Sequence, residues 1–179
     1  MARSRTLIGV SLVAALVPAL LAGCASSNVD TSALADTKGP AQLLRNSVSS
    51  RVPKADVMKL GEADDKSVGC GQNGIMRSWL SSQLIFVQPE NAYKIKSILT
   101  DVVSSLKLQG WTPSLADASS NIHQATLKST KTSATILVTA TEASDEKGNG
   151  ATMEVDVTGP CVKTGGPDSD EVKHLENRG

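Results

Sequence analysis

Between Pro89 and Trp111 apolar residues recur at Ile95, Ile98, Leu99, Val102, Val103 and Leu106. Only an α-helix gathers a spacing of three and four into one stripe. Asn91 is a candidate N-cap and Gly110 a left-handed C-cap, with Trp111 free to fold back onto the last turn. At 1.5 Å per residue such a helix is about 28 Å long, enough to cover one face of a small sheet. The chain must therefore supply a sheet with one apolar face.

Four stretches qualify. Ile75 to Val87 is rich in Ile, Leu, Phe, Val and Trp and is stopped by Pro89. Ile122 to Lys128 is the weakest. Ala134, Ile136, Val138 and Ala140 alternate mostly with threonine, and Met153, Val155 and Val157 alternate with Thr152, Glu154, Asp156 and Thr158. That rhythm belongs to an antiparallel sheet with one face in water. Glu142 to Gly150 reads as a hairpin loop around the turn dipeptide Asn149-Gly150. The expected fold is α+β: one long amphipathic helix on a four-stranded, mainly antiparallel sheet, in the order β-α-β-β-β. A short helix is expected from Pro40 through Leu43, Leu44 and Val48, an extended or looped segment over 54–73, and a polar loop over 112–120.

The N-terminus speaks to location. Arg3 and Arg5 precede an apolar run from Leu7 to Leu20, and small residues lead into Cys24. This is the layout of an export signal, and Leu21-Ala22-Gly23-Cys24 resembles the lipobox of bacterial lipoproteins. The resemblance implies a diacylglyceryl group on Cys24, cleavage ahead of it, and a domain held at the outer face of the cell membrane. An ordinary secretory signal and an uncleaved anchor are the rivals; Pro18 and a length just short of a span weaken the second. Residues 1–23 are then signal, 24–39 a flexible tether, 40–69 the short helix and extended segment, 70–162 the domain, and 163–179 a disordered tail with one frayed turn at 168–176.

With Cys24 lipidated, Cys70 and Cys161 remain, and an even pair in an exported chain is most simply a disulfide. Two separate buried thiols are the alternative. The bridge would make the first and last strands start and finish at one end of the sheet and run antiparallel. The loop over 112–120 would carry the chain back along the sheet.

Composition excludes some partners. Of 18 basic and 18 acidic residues, only Arg3 and Arg5 fall in the signal, so the remainder is slightly acidic without blocks of like charge. This argues against nucleic acid and against a polybasic lipid-binding face. Trp79, Trp111, Phe86 and Tyr93 are the only aromatic residues, too few for stacking platforms. No cofactor is expected. Glu62, Asp64 and Asp65 lack the spacing of a calcium loop. His123 and His174 have no evident partner and read as surface residues.

Ser104-Ser105-Leu106-Lys107, Ser119-Ser120-Asn121 and Lys163-Thr164-Gly165 resemble the SxxK, SxN and KTG motifs of penicillin-binding proteins and serine β-lactamases. The first two stand too close together, and KTG opens a tail instead of lying in a core strand. A serine hydrolase using Ser104 and Lys107 is a remote reading. Cys70, Arg77-Ser78-Trp79, Gly110-Trp111 and Gly159-Pro160-Cys161, together with the lipobox, look like small cell-envelope lipoproteins of high-GC Gram-positive bacteria. That resemblance implies an uncharacterised role and carries over no catalytic residue.

The expectation is a non-catalytic binding or scaffolding module, partnered with the membrane through Cys24 and with an envelope protein or small ligand. Its candidate surface is the wet side of the last two strands: Thr135, Leu137, Thr139, Glu154 and Asp156. A carrier of a small ligand or lipid between helix and sheet, in a cavity lined by Ile98, Val102, Ile136 and Val155, is the alternative.

Overall fold

The structure is a computed structural model and describes residues 33–71, 74–143 and 150–177. The expected signal, Cys24, the first part of the tether and Asn149 of the expected turn lie outside the described residues.

The strands are β1 (Val57–Cys70), β2 (Met76–Val87), β3 (Trp111–Ser119), β4 (Ile122–Ser129), β5 (Thr135–Thr141), β6 (Thr152–Thr158) and β7 (Val162–Lys163). The helices are α1 (Leu34–Ser49), α2 (Ile95–Lys107) and α3 (Asp170–Leu175). All seven strands join one antiparallel sheet in the order β1-β2-β6-β5-β4-β3, with β7 on β2 beyond the end of β6. The four-stranded sheet under one long helix is therefore wrong: among the described residues the fold is mostly β, a seven-stranded sheet with three short helices.

The missing strands are β1, β3 and β7. As edge strands, β1 and β3 have one bonded neighbour each, so no pressure imposes the apolar alternation that marks an inner strand. Hence VMKLGEADDKSVGC and WTPSLADAS read as loops. Pro113 is tolerated because an edge strand loses no second ladder. The 112–120 segment does carry the chain back along the sheet, as that edge strand.

α2 is shorter than expected. A 3₁₀ turn occupies Pro89–Lys94, and Asn91 makes no cap; its side chain accepts from Lys94 instead. The C-terminal end follows expectation, with Gly110 at φ +90° donating to the Lys107 carbonyl. α1 begins before Pro40 and includes it. Leu34, at its first turn, is fully buried, so tertiary packing starts the helix where local propensity would not.

α1 packs over β2 and β6, and α2 over β3, β4 and β5, on the same face of the sheet. The core between the layers holds Leu106, Ile98 and Val102 from α2, Leu34 and Val48 from α1, and Trp79, Ile85, Leu127, Ile136 and Val155 from the sheet. Val172 of α3 is also fully buried, and the Ala35 N–H of α1 donates to Glu171. Residues 163–177, expected as a disordered tail, are therefore ordered against the domain. The Cys70–Cys161 disulfide is formed, with Cα atoms 5.9 Å apart. As the bridge requires, β2 and β6 run antiparallel, and here they are neighbours.

Candidate functional site

Among the described residues the helices leave the opposite face of the sheet uncovered. Register places Asp64, Ser82, Asp156, Leu137, Thr126 and Ser114 in one row across that face. The next row, toward the C-terminal end of β2, carries Leu84, Glu154, Thr139 and Gln124. Thr135, Leu137, Thr139, Glu154 and Asp156 thus fall together on one surface, with Leu137 beside Asp156 and Thr139 beside Glu154. Leu137 is half-buried among its neighbours, not freely exposed.

Sequence reading missed the flank from β1 and β2. Half-buried Leu80, Leu84 and Phe86 line it, the Lys59 ammonium lies 4.6 Å from the Phe86 ring centre, and Ser82 donates to Asp156. Lys66 pairs with Asp64. Partial burial pushes the Glu154 carboxyl above its usual range, the neighbouring Asp156 charge adds to this, and Lys66 opposes it. The surface is an apolar patch in a field of hydroxyls with a small acidic centre.

The covered face holds a polar cluster of its own. Arg45 of α1 reaches Asp65 of β1 at 3.2 Å, and Gln42 and Ser81 also donate to that carboxylate. Burial would raise Asp65, but the Ser81 and Gln42 hydrogen bonds and the Arg45 charge outweigh it and hold the carboxyl low. The Trp79 indole N–H lowers it further without closing a hydrogen bond of normal geometry. This cluster ties helix to edge strand. Asp64 and Asp65 point to opposite faces, and no metal-binding group of three ligands forms among the described residues.

His123 is not a surface residue. Its side chain is 7% exposed, with Nδ1 2.7 Å from Asp117 and Nε2 2.9 Å from Glu142. A carboxylate offers only lone pairs, so both contacts are hydrogen bonds only when both ring nitrogens carry hydrogen. The hydrogen bonds to Asp117 and then Glu142 raise the histidine pKa against the opposing effects of burial and Lys96. The signal was available: a turn at Ser120-Asn121 sets Asp117 opposite His123 once 111–119 is read as a strand.

The three short motifs do not converge. Ser104 and Lys107 are exposed on α2. Ser119 donates to Asn121 in the β3–β4 turn, level with the Phe86 end of β2. Lys163 pairs with Met76 at the other end of β2. His174 is exposed on α3.

The expected carrier cavity is filled. Ile98, Val102, Ile136 and Val155 are all buried in the core. A cleft does open elsewhere on the helix side, between the first half of α1, Trp111, the β4–β5 turn and Gly159-Pro160. A Cβ on Gly159 would come within 3.3 Å of Thr37, so glycine lets α1 sit this close to the sheet.

Among the described residues no helix is long and apolar enough to cross a membrane. Comparison with protein-family models, with characterised proteins and with solved structures returns no match.

Proposed function

We propose that this chain is a cell-envelope lipoprotein, anchored through acyl groups on Cys24 at the outer face of the membrane. Its domain is a non-catalytic module that binds an envelope partner through the uncovered sheet face. The observation that carries this reading is the placement of every helix on one side. Opposite them, among the described residues, a six-strand surface is left open, with half-buried Leu80, Leu84 and Phe86 of β2 and Leu137 of β5 on either side of Glu154 and Asp156 of β6. An apolar patch rimmed by polar groups is the usual mark of a protein interface. The Leu21-Ala22-Gly23-Cys24 motif supports the anchor. α1 starts at Leu34, so the chain from Cys24 spans at most about 35 Å fully extended. The partner then lies near the membrane too.

Two measurements test the reading. Intact mass of protein extracted from its own membrane should begin at Cys24 with acyl chains added; a mass without lipid removes the anchor. A photo-crosslinking residue at Thr139, on the open face, should give a discrete product in the native envelope, and one at Ser104, on the helix side, should not. Equal labelling from both positions, or none from Thr139, removes the interface.

A further inference from the structure

We infer that the cleft beside Trp111 is a binding site for one free, single-chain anionic amphiphile, an acyl carboxylate or a compound of the same build. The site stands apart from the sheet face, because it opens on the side that carries the helices. It has a volume of about 480 Å³, within the range of small-molecule sites. Leu44 of α1, the Trp111 indole and Pro160 give it apolar walls. Trp111 stands there because the left-handed Gly110 turns the chain out of α2 and directly into β3.

Polar side chains line this cleft in two places. Thr37 of α1 lies on one wall with its hydroxyl donating to the Leu34 carbonyl, and three consecutive residues of the β4–β5 turn, Lys131, Thr132 and Ser133, form one rim. Lys131 is the single ionisable residue among those lining the cleft, and no carboxylate pairs with it among the described residues. Lys131 is exposed and can meet an anionic head, with the hydroxyls of Thr132 and Ser133 beside it to donate hydrogen bonds. No acidic side chain lines the cleft, so a cationic head has no partner. A single tryptophan with aliphatic neighbours suits an acyl body better than a sugar, which would leave its hydroxyls facing apolar walls. An apolar body with a charge at one end matches the separation of walls and rim.

The test uses residues 25–179 with the disulfide formed, which contain every residue of the core. Titration calorimetry and native mass spectrometry are run with dodecanoate below its micelle concentration. Dodecyltrimethylammonium is the control with a tail of similar length and the opposite charge. One dodecanoate should bind per chain, at least about tenfold tighter than the cation, since its carboxylate can meet Lys131 and accept from the two hydroxyls and the trimethylammonium head can do neither. Lys131→Glu should reverse that preference. Ser133→Phe should weaken both ligands by blocking the mouth. Both positions are exposed, so an unchanged melting curve shows that the fold is kept. Leu137→Arg, on the open sheet face, should leave dodecanoate binding intact, which separates this site from the partner surface. Absence of saturable one-to-one binding overturns the inference. So does equal affinity for both charges, indifference to both cleft substitutions, or binding only to phosphatidylglycerol vesicles and not to free dodecanoate.

Discussion

His123 and Asp117 face each other across the β3–β4 ladder, with Nδ1 2.7 Å from the carboxylate and Glu142 closing on the other ring nitrogen. The three residues come from β3, β4 and the end of β5, so one imidazolium holds three strand ends together. The geometry requires protons on both nitrogens. Nitrogen-detected NMR of the ring should show a titration midpoint above the usual histidine value of 6.5, with both nitrogens protonated below that midpoint. The raised folded pKa means that this contribution to stability is complete below the unfolded pKa and is lost as pH rises through the folded one. Asp117 is shifted the other way, first by the His123 hydrogen bond and then by Lys96, so its share is lost as pH falls through its lowered pKa. Asp117→Asn should bring the histidine midpoint down. An unmoved midpoint would show that the carboxylate does not hold the proton.

The Cys70–Cys161 bridge closes a separation of 91 residues and joins the end of β1 to the residue just before β7. Restricting a loop of that length in the unfolded chain contributes about 4–5 kcal/mol in the chain-entropy model. Urea unfolding with and without reductant should differ by up to that amount. Cys161→Ser should match the reduced protein. A difference under about 1 kcal/mol would mean that the unfolded chain is already compact without the bridge.

What was legible in this chain follows from where each segment lies. β5 and β6 are inner strands with one face on the core, so Ile136, Val138, Val155 and Val157 alternate with polar residues and could be read directly. α2 was legible for the same reason, since its stripe is buried while Lys96, Thr100 and Lys107 face water. β1 and β3 were not, because an edge strand is held by backbone bonds that leave no mark on side-chain pattern. α1 was misplaced because ADTKGP is a poor helix former, and only the burial of Leu34 and contact with α3 impose the helix there. On the candidate surface, alternation in the last two strands was enough to put Thr135, Leu137, Thr139, Glu154 and Asp156 on one face, since alternation alone decides sidedness. The flank supplied by Leu80, Leu84 and Phe86 needed the β2–β6 pairing, a contact 70 residues apart in sequence.

Arg45 and Asp65 form a pair of which the side chains are 8% and 22% exposed. Removing only the cation leaves a carboxylate that is partly shielded from water. Arg45→Met should therefore cost roughly 1–3 kcal/mol, below the full penalty of a dry unpaired charge. Asp65 is held low in the folded state, so its stabilising share is present above the unfolded pKa and lost as pH falls through the folded value. Arg45→Met should weaken this acid dependence. A double change of Arg45→Met with Asp65→Asn should cost less than the sum of the single ones, measured by urea unfolding at neutral pH. Strict additivity would mean that the two side chains act separately.

Leu34 and Val172 are fully buried, although each lies where the chain reads as tether or tail. If the domain ended at 70–162, truncating either would be neutral, as for an exposed residue. In the packed arrangement Leu34→Ala should destabilise by about 2–5 kcal/mol, because it deletes three buried carbons from a core that closes only partly around the gap. Leu115→Ala serves as the control: that side chain is 68% exposed on β3 and should change stability by less than about 0.5 kcal/mol. Deleting residues 168–177 should resemble Leu34→Ala, since it removes Val172 together with the Glu171 carboxylate that accepts from the Ala35 N–H of α1. Hydrogen exchange reads the same question without a mutation. Protection of the α1 amides from the first turn onward supports the packed arrangement, and fast exchange up to Ala41 would return that segment to the tether.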